Sequence, residues 1–476
     1  MLKSKSLALF IICLVTFNAA AALAETTYTA TGAGEHAIEL TNGTKTYSNP
    51  TVTKTGDVSG QNDDYDWKGT NAAVLASGGA VLTINGGSIT SNASYGNAVF
   101  SYGGNNSNTN NNNGDGTTIN ISDATIITTK NNSGGIMTTG GGIMNASNLT
   151  ITTSGGSSAA IRSDSGGGTV TVTGGTYTAG GQGSPAIYST ADITVSNATL
   201  NSGVAQGVVI EGGNSVTLKS SDVKANHTKK NGQDSTYQAI LIYKSMSKDA
   251  SSGKSSFKMT GGSITNAQGD IFCITNTSCN IDLENVTIAN NDSSGNFLRA
   301  EGQSWGNSGS NGGTVTLTAA NQDIAGNILV DSSSSVTMTL KEGSTFKGAV
   351  NPDSSNSVQT SAAAGDVDIA IEKGAKLTLT ENSYVSSLTT AYTNDIDYGN
   401  YSINVSGKSY NNSNPLEGTL GEKDDSFDDD DDNDNDNENG DDNNGNVKTS
   451  SSSGGCNIGY MNLAVLACAA FFSKKK

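Results

Sequence analysis

Apolar residues recur along this chain at fixed offsets, and the recurrence predicts its fold. Eight apolar or aromatic residues anchor eight repeats, and five of their seven separations lie between 23 and 26 residues: Ile89, Ile126, Ile151, Tyr177, Leu200, Val223, Ile264 and Ile288. The residues five and seven positions before every anchor are also apolar, as Ile84 and Leu82 are before Ile89. A spacing of two places both side chains on one face of a strand.

Two further offsets complete the repeat. Three residues before each anchor stands Gly, Asn, Asp or Ser, which predicts a bend there, because Gly, Asn and Asp tolerate left-handed backbone geometry. Ten residues after the anchor a second apolar strand is predicted in all repeats but that of Val223, with these residues: Val99, Ile136, Ile161, Ile187, Ile210, Ile274 and Leu298. Insertions at 103–115 and 225–255 lengthen two of the repeats.

This periodicity predicts an all-β right-handed parallel β-helix over residues 71–420, because one repeat cannot bury its apolar face but stacked neighbours can. Residues 25–70 lack the pattern and are predicted to form an N-terminal cap. Beyond residue 300 the repeat is irregular, and strands are expected around Val336, Val367 and Leu377 without a fixed register. The body resembles the pectate-lyase-like β-helix superfamily and the adhesin-like surface proteins that share its architecture. That resemblance implies a fold and says little about chemistry.

Both ends of the chain have the composition of targeting segments. Residues 1–24 predict a secretory signal peptide, with Lys3 and Lys5 before an apolar run and a small-residue cleavage site ending at Ala24. Residues 454–476 combine Gly454, Gly455 and Cys456 with a short apolar segment and three terminal lysines.

The C-terminal pattern resembles the GlyGly-type and Synerg-type sorting signals of bacterial surface proteins. The resemblance implies that a sorting protease in the membrane cuts near Cys456, with lipid as a further possible modification of that thiol. The alternative is an ordinary C-terminal anchor helix. In both cases the protein is expected to be exported and held at the outer surface of the cell envelope.

Charge is concentrated in one segment. Twelve acidic residues lie between Asp424 and Asp442, and without them the net charge of −18 becomes −6. We therefore predict a disordered acidic linker over residues 421–453, where nothing apolar is available to bury. Nothing in the remaining charge suggests a nucleic-acid partner.

Few side chains suggest catalysis. The two histidines and two arginines, the latter being Arg162 and Arg299, cannot supply the Gly-His-Gly and Arg-Ile-Lys motifs of polygalacturonase-like enzymes. Arg162 with Asp164, and Arg299 with Glu301, stand at equivalent places and are interpreted either as ion pairs at the edges of repeats or as solvated side chains, rather than as lyase fragments. No metal-ligand spacing and no cofactor motif is present.

Other side chains leave alternatives open. Cys273 and Cys279 either form a disulfide, which an oxidising compartment permits, or remain two small buried thiols. Trp67 and Trp305 could stack on sugar rings, but single tryptophans more often serve packing, and His227 is expected to be solvated in its lysine-rich loop.

The best candidate binding residues are lysines of the longest insertion and its margins. Eight lysines lie between Lys219 and Lys258, and four of them are predicted to attract acidic glycans on a host or environmental surface: Lys224, Lys229, Lys230 and Lys248. The sequence thus favours a non-catalytic, surface-anchored adhesin or glycan-binding protein. The alternative is a lyase or glycoside hydrolase of unfamiliar type on the same scaffold.

Overall fold

The computed structural model describes residues 26–60, 62–105, 113–247, 249–250, 252–353 and 364–421. Within these ranges the chain forms one short helix, α1 Asp63–Trp67, one 3-10 turn at Thr393–Asp395 and 39 strands. The strands are β1 Thr27–Ala30, β2 Ile38–Leu40, β3 Thr44–Ser48, β4 Thr51–Lys54, β5 Val74–Ala76, β6 Val81–Asn85, β7 Ser88–Ser91, β8 Val99–Tyr102, β9 Thr118–Ser122, β10 Thr125–Thr128, β11 Ile136–Thr139, β12 Gly142–Ser147, β13 Thr150–Thr153, β14 Ile161–Ser163, β15 Gly168–Thr173, β16 Thr176–Ala179, β17 Ile187–Ser189, β18 Asp192–Ser196, β19 Thr199–Ser202, β20 Val208–Glu211, β21 Ser215–Ala225, β22 Gln238–Tyr243, β23 Lys254–Asn266, β24 Asp270–Thr275, β25 Thr277–Glu284, β26 Thr287–Asn290, β27 Leu298–Ala300, β28 Gly313–Ala320, β29 Asp323–Ala325, β30 Ile328–Val330, β31 Ser335–Leu340, β32 Thr345–Gly348, β33 Asp366–Ile371, β34 Lys376–Leu379, β35 Ser383–Val385, β36 Ser387–Thr390, β37 Ile396–Asp397, β38 Ile403–Val405 and β39 Lys408–Tyr410.

These strands form long parallel sheets in which each strand pairs with its equivalent in the next repeat. The largest sheet has 21 strands, a second has 11, and two shorter sheets of four and three strands lie towards the end of the described chain. Only β38 and β39 pair in an antiparallel manner among the named strands. The all-β prediction is confirmed, and the stacked parallel pairing is compatible with the expected β-helix.

The predicted apolar rows coincide with the register of the 21-stranded sheet, which is the first sheet. The anchor row runs through direct partners from Ile89 to Ile288, and the rows at offsets −5 and −7 run in the same way. Nearly all of these side chains are buried, and Ile288 is partly buried against the same core. The interior is one continuous apolar cluster that extends from Ile38 to Ile403.

The predicted bend three residues before each anchor is also confirmed. All eight positions have positive φ: Gly86, Asp123, Asn148, Gly174, Asn197, Ser220, Gly261 and Asn285. This left-handed geometry is cheapest for Gly, Asn and Asp, so the residue types match the backbone at seven of these eight bends, Ser220 being the exception.

The second sheet, that of 11 strands, corrects the predicted offset of +10 for Ile210 and Ile274 and confirms it for the other five residues: Val99, Ile136, Ile161, Ile187 and Leu298. Its inward row is Val99, Ile136, Ile161, Ile187, Val208, Ile240, Phe272, Leu298 and Ile328. Ile210 and Ile274 are buried but lie two residues further along their strands, where Ile210 pairs with Ile242 and Ile242 with Ile274. The offset varies because the bend before each strand differs in length, and the Val223 repeat reaches the row only after its insertion, at Ile240.

The pairing extends beyond the predicted body at its N-terminal side. In the segment predicted as a cap, β1 pairs in parallel with β4, β4 pairs in turn with β7, and β3 pairs with β6. Tyr47 and Val52 lie in the rows of Ile84 and Ile89. The sheets therefore begin at Thr27, before residue 71.

The irregular part after residue 300 continues the first sheet. Val336 pairs with Val315 and Val367, while Leu377 belongs to the four-stranded sheet and pairs with Phe346. The strands expected around these three residues are thus present, and their register is fixed by the pairing.

Candidate ligand-binding groove

The outer face of the second sheet carries an unusual row of side chains. Each inward residue is followed by an outward one, and the outward partners in register are Phe100, Met137, Arg162, Tyr188, Val209, Leu241, Cys273, Arg299 and Leu329. Most of this row is apolar, so it needs cover from other parts of the chain. Two separate clusters provide it.

The first cluster joins Phe100 and Met137 with Ala72 and Leu75, with Tyr102 packed beside them. The second joins Val209, Leu241, Tyr243 and Cys273, with Tyr188 and Trp305 packed against them. Arg162 lies between the two clusters in the row, and a cavity opens there.

This groove has a volume of about 390 Å³. It is lined by residues from seven parts of the chain: Asp66, Trp67, Tyr95, Asn132, Ser157, Ala159, Arg162, Asp164, Gly183, Pro185, Tyr188, Asn231, Tyr243 and Asp249. Concave sites with several aromatic rings and a few convergent polar groups are typical of ligand-binding pockets. We therefore take it as the candidate site.

Helix α1 supplies one wall of the groove. Its first backbone amides are capped by Asn62, whose side chain accepts a hydrogen bond from the Asp64 amide at 2.8 Å. The hydroxyl of Thr139 on the second sheet donates to the carbonyl of Trp67 at 2.5 Å. This bond holds the end of the helix against the sheet and positions Trp67 at the groove.

An ion pair forms part of the floor. Arg162 donates to the Asp164 carboxylate at 3.0 Å and to the Ser157 carbonyl at 3.1 Å. Burial raises the pKa of Asp164 to about 7, an effect that Arg162 opposes and the neighbouring Asp249 carboxylate reinforces. The interpretation of Arg162 and Asp164 as an ion pair agrees with this geometry, but the pair is buried and lies in the groove.

A buried carboxylate behind the groove orients Tyr188. Glu211 is fully buried and accepts hydrogen bonds from the hydroxyls of Tyr188 at 2.6 Å and Tyr243 at 2.9 Å. The hydroxyl of Ser245 donates to the other carboxylate oxygen, and Lys244 lies 3.7 Å from it. With its hydroxyl fixed in this way, Tyr188 presents its ring to the cavity.

A second ion-pair cluster lies further along the same row. Arg299 contacts Asp270 at 2.5 Å and Glu301 at 3.1 Å, as the sequence interpretation expected for the Arg299 and Glu301 pair. Gln303 donates to Glu301 at 3.0 Å. The charged and polar groups of these side chains pair with one another. The cluster therefore has a structural role, which is to hold the outer row of the second sheet in place.

The predicted lysine site does not coincide with the groove. Lys224 is exposed on strand β21 of the first sheet and Lys229 is exposed in the loop that follows, while Lys248 lies outside the described residues. Lys230 is partly buried, donates to the Ser235 carbonyl at 2.5 Å and lies 4.8 Å from the centre of the Tyr237 ring. None of the described lysines lines the cavity, and the prediction that they bind acidic glycans stays a prediction.

The expectation that His227 is solvated is wrong. Its side chain is fully buried, its Nδ1 accepts from the Gln238 amide at 3.2 Å, and its Nε2 lies 3.4 Å from Asp234. Asp234 in turn accepts from the Asn231 amide at 2.8 Å. This network folds the inserted loop back on the sheet and brings Asn231 to the groove.

The structure shows where the candidate cysteines and tryptophans lie. Cys273 and Cys279 are free buried thiols, one in the cluster on the outer face of the second sheet and the other in the interior, so the structure contains no disulfide between them. Trp305 packs on Tyr243 with ring centres 4.8 Å apart and serves packing, whereas Trp67 lines the groove.

Residues predicted for targeting lie outside the described residues: Ala24, Gly454, Gly455 and Cys456. Among the residues that are described, no helix is long and apolar enough to cross a membrane. In the same ranges no three His, Cys, Asp or Glu side chains converge as metal ligands would.

Sequence reasoning missed most of the groove. Tyr188 and Arg162 directly follow inward residues of the second strand, so the sequence pattern could have identified them as neighbours on one outer face. Asp66 comes from α1, Tyr95 and Asp249 come from loops, and no periodic signal marks any of the three.

Comparison of the chain with protein-family models, with curated proteins and with solved structures found no match in any of the three.

Proposed function

We propose that this chain is a non-catalytic, glycan-binding protein of the cell surface and that the groove between α1 and the inserted loop is its binding site. The observation that carries the proposal is the lining of that groove. Four aromatic side chains share one cavity with the amides of Asn132 and Asn231: Trp67, Tyr95, Tyr188 and Tyr243. Sugar rings have apolar faces and polar edges, which aromatic rings and side-chain amides complement.

The scaffold we propose is a right-handed parallel β-helix. Its support is the in-register pairing of successive repeats in long parallel sheets. Crossover connections between parallel strands of one sheet are right-handed in about 98% of cases, which favours that hand here. Such a scaffold is rigid, so loops that project from it can hold aromatic rings in fixed positions.

Export and anchoring belong to the same proposal. Residues 1–24 would direct secretion, residues 421–453 would act as a spacer, and residues 454–476 would be processed near Cys456 by a membrane protease. Cys456→Ala should then leave the tail uncleaved, which mass spectrometry of the C-terminus measures. Surface-located wild-type protein that retains Lys476 would contradict processing.

Binding is tested with two variants at one position. We expect Tyr188→Ala to weaken binding to the best ligand of a glycan array by about tenfold or more, because it removes a rigid ring from the centre of the groove. Tyr188→Phe keeps the ring and loses only the hydrogen bond to Glu211, so binding should stay close to that of the wild type. Both variants are checked by circular dichroism for the β-rich fold.

Glycan binding that is equally strong in wild type and Tyr188→Ala would show that the groove is not the site. Absence of binding to any glycan on the array would contradict the proposed function itself.

A polysaccharide-active enzyme is the second candidate, and one observation favours it. Asp164 and Asp249 line the same groove, and burial raises the pKa of both carboxyl groups. Pairs of carboxyl groups in which one stays protonated near neutrality are the chemistry of glycoside hydrolysis. Release of reducing ends from a bound glycan, abolished in Asp164→Asn, would favour this candidate over a binding protein.

A further inference from the structure

The charge of the groove restricts the glycans that it can accept. Its lining contains three carboxylates, Asp66, Asp164 and Asp249, and one cation, Arg162. The carboxylates come from α1, from the end of β14 and from the loop after β22, so three separate parts of the chain direct negative charge to one cavity. No described lysine lines it.

The cations of this region are already engaged. Arg162 is held by Asp164 at 3.0 Å and by the Ser157 carbonyl at 3.1 Å. Lys244 donates to the carbonyls of Ser245 at 2.7 Å and Ser247 at 3.1 Å. An anionic ligand in the groove would therefore lie beside carboxylates, and the cations of this region would already be paired with other groups.

The carboxylates also act on one another. Burial raises the pKa of Asp249, and the next largest cause is the nearby Glu211 carboxylate. The Asp249 charge in turn reinforces the raised pKa of Asp164. A cation placed among these groups would relieve their repulsion, whereas an acidic sugar would increase it.

We propose that the groove selects glycans that carry protonated amino groups, with the ammonium facing Asp249 and Asp66 and the sugar rings against Trp67, Tyr95 and Tyr188. This inference rests on the proposed glycan-binding function and names the ligand class. Ammonium groups gain both from carboxylates and from the faces of aromatic rings, so the two kinds of lining residue act together. The groove thus differs from the lysine-rich insertion, whose charge suits acidic glycans.

The experiment is calorimetric titration of the full chain near neutral pH with three oligosaccharides. The probes are fully de-N-acetylated chitin oligosaccharide, its N-acetylated equivalent and an oligogalacturonate. We expect the de-N-acetylated probe to bind about tenfold more tightly than the N-acetylated one, and this difference should shrink as salt is added. Of the three probes, the oligogalacturonate should lose least binding in Tyr188→Ala, because any binding of it to the lysine-rich insertion does not involve the groove.

Asp249→Asn and Asp64→Asn are the matched variants. Asp249→Asn should weaken binding of the de-N-acetylated probe by about tenfold, which removes the preference, while affinity for the N-acetylated probe is kept. Asp64→Asn removes a carboxylate from the same helix as Asp66, but Asp64 pairs with Lys68 at 2.7 Å and does not line the groove. It should leave both affinities unchanged.

Equal affinity for the two chitin probes, with Tyr188→Ala still weakening both, would overturn the charge selection and leave the glycan-binding groove intact. Binding of the cationic probe that neither Tyr188→Ala nor Asp249→Asn weakens would place the site elsewhere and overturn both proposals. A lysine-rich peptide that binds the groove as tightly as the amino sugar would overturn the assignment to glycans.

Discussion

Two adjacent isoleucines on strand β10 provide a matched test of the inward and outward faces of the first sheet. Ile126 is fully buried and lies in the anchor row between Ile89 and Ile151, whereas Ile127 is 41% exposed on the outer face. The same substitution can therefore be made at both positions, in the same strand and with the same change in β-propensity. Only the face differs.

The expected magnitudes follow from burial. Ile126→Ala removes buried methyl and methylene groups and leaves a cavity in an interior that neighbouring repeats fill on both sides, which costs about 2–5 kcal/mol. Ile127→Ala loses part of a half-solvated side chain without opening an internal cavity, and we expect a cost below about 1 kcal/mol.

The assay combines urea denaturation with native-state hydrogen exchange. Stacked repeats interact mainly with their neighbours and open locally, so a single transition need not report every strand. Exchange should accelerate for amides of β7, β10 and β13 in Ile126→Ala and remain almost unchanged in Ile127→Ala. Equal losses at the two positions, or a larger loss for Ile127→Ala, would refute the assigned alternation of faces.

Three further predictions concern titration, thiols and surface charge. Burial holds the pKa of Asp164 near 7, above its ordinary 3.8, so the stability contributed by its protonated carboxyl group is complete below about pH 4 and is lost as the pH rises through 7. The free energy of unfolding should fall over that window by at most about 4 kcal/mol. Asp164→Asn should remove this pH dependence. Cys273 and Cys279 should react with a thiol reagent only after unfolding, because burial raises the pKa of each thiol; labelling of either in the native protein would contradict their placement. A variant with Gln at four lysine positions should lose any salt-dependent adherence to acidic polysaccharide while keeping binding in the groove; the positions are Lys224, Lys229, Lys230 and Lys248. Unchanged adherence of this variant, if it is folded, would show that these lysines do not cause the adherence.

The sequence by itself determined the repeat. Side-chain alternation with a period of two identified the inward rows of the first sheet, and the bend before each anchor was predicted from residue types that tolerate positive φ at low cost. Both are local properties of a few residues, so they can be recognised without knowing what packs against them. The second strand was identified less well, and Val208 rather than Ile210 lies in its row, because the length of the intervening bend is free to vary.

Only the tertiary structure decided the groove and the inserted loop. Trp67, Arg162 and Asp249 are separated by many repeats in the sequence and meet because stacking brings distant parts of the chain to one face of the second sheet. His227 had every sequence feature of a solvated residue, yet it is buried, where its Nδ1 accepts from the Gln238 amide at 3.2 Å and its Nε2 lies 3.4 Å from Asp234. Periodicity constrains residues that pack within the sheets, whereas loops and α1 are placed by contacts with partners that no local pattern specifies. These elements, together with outward residues of the second sheet, form the site.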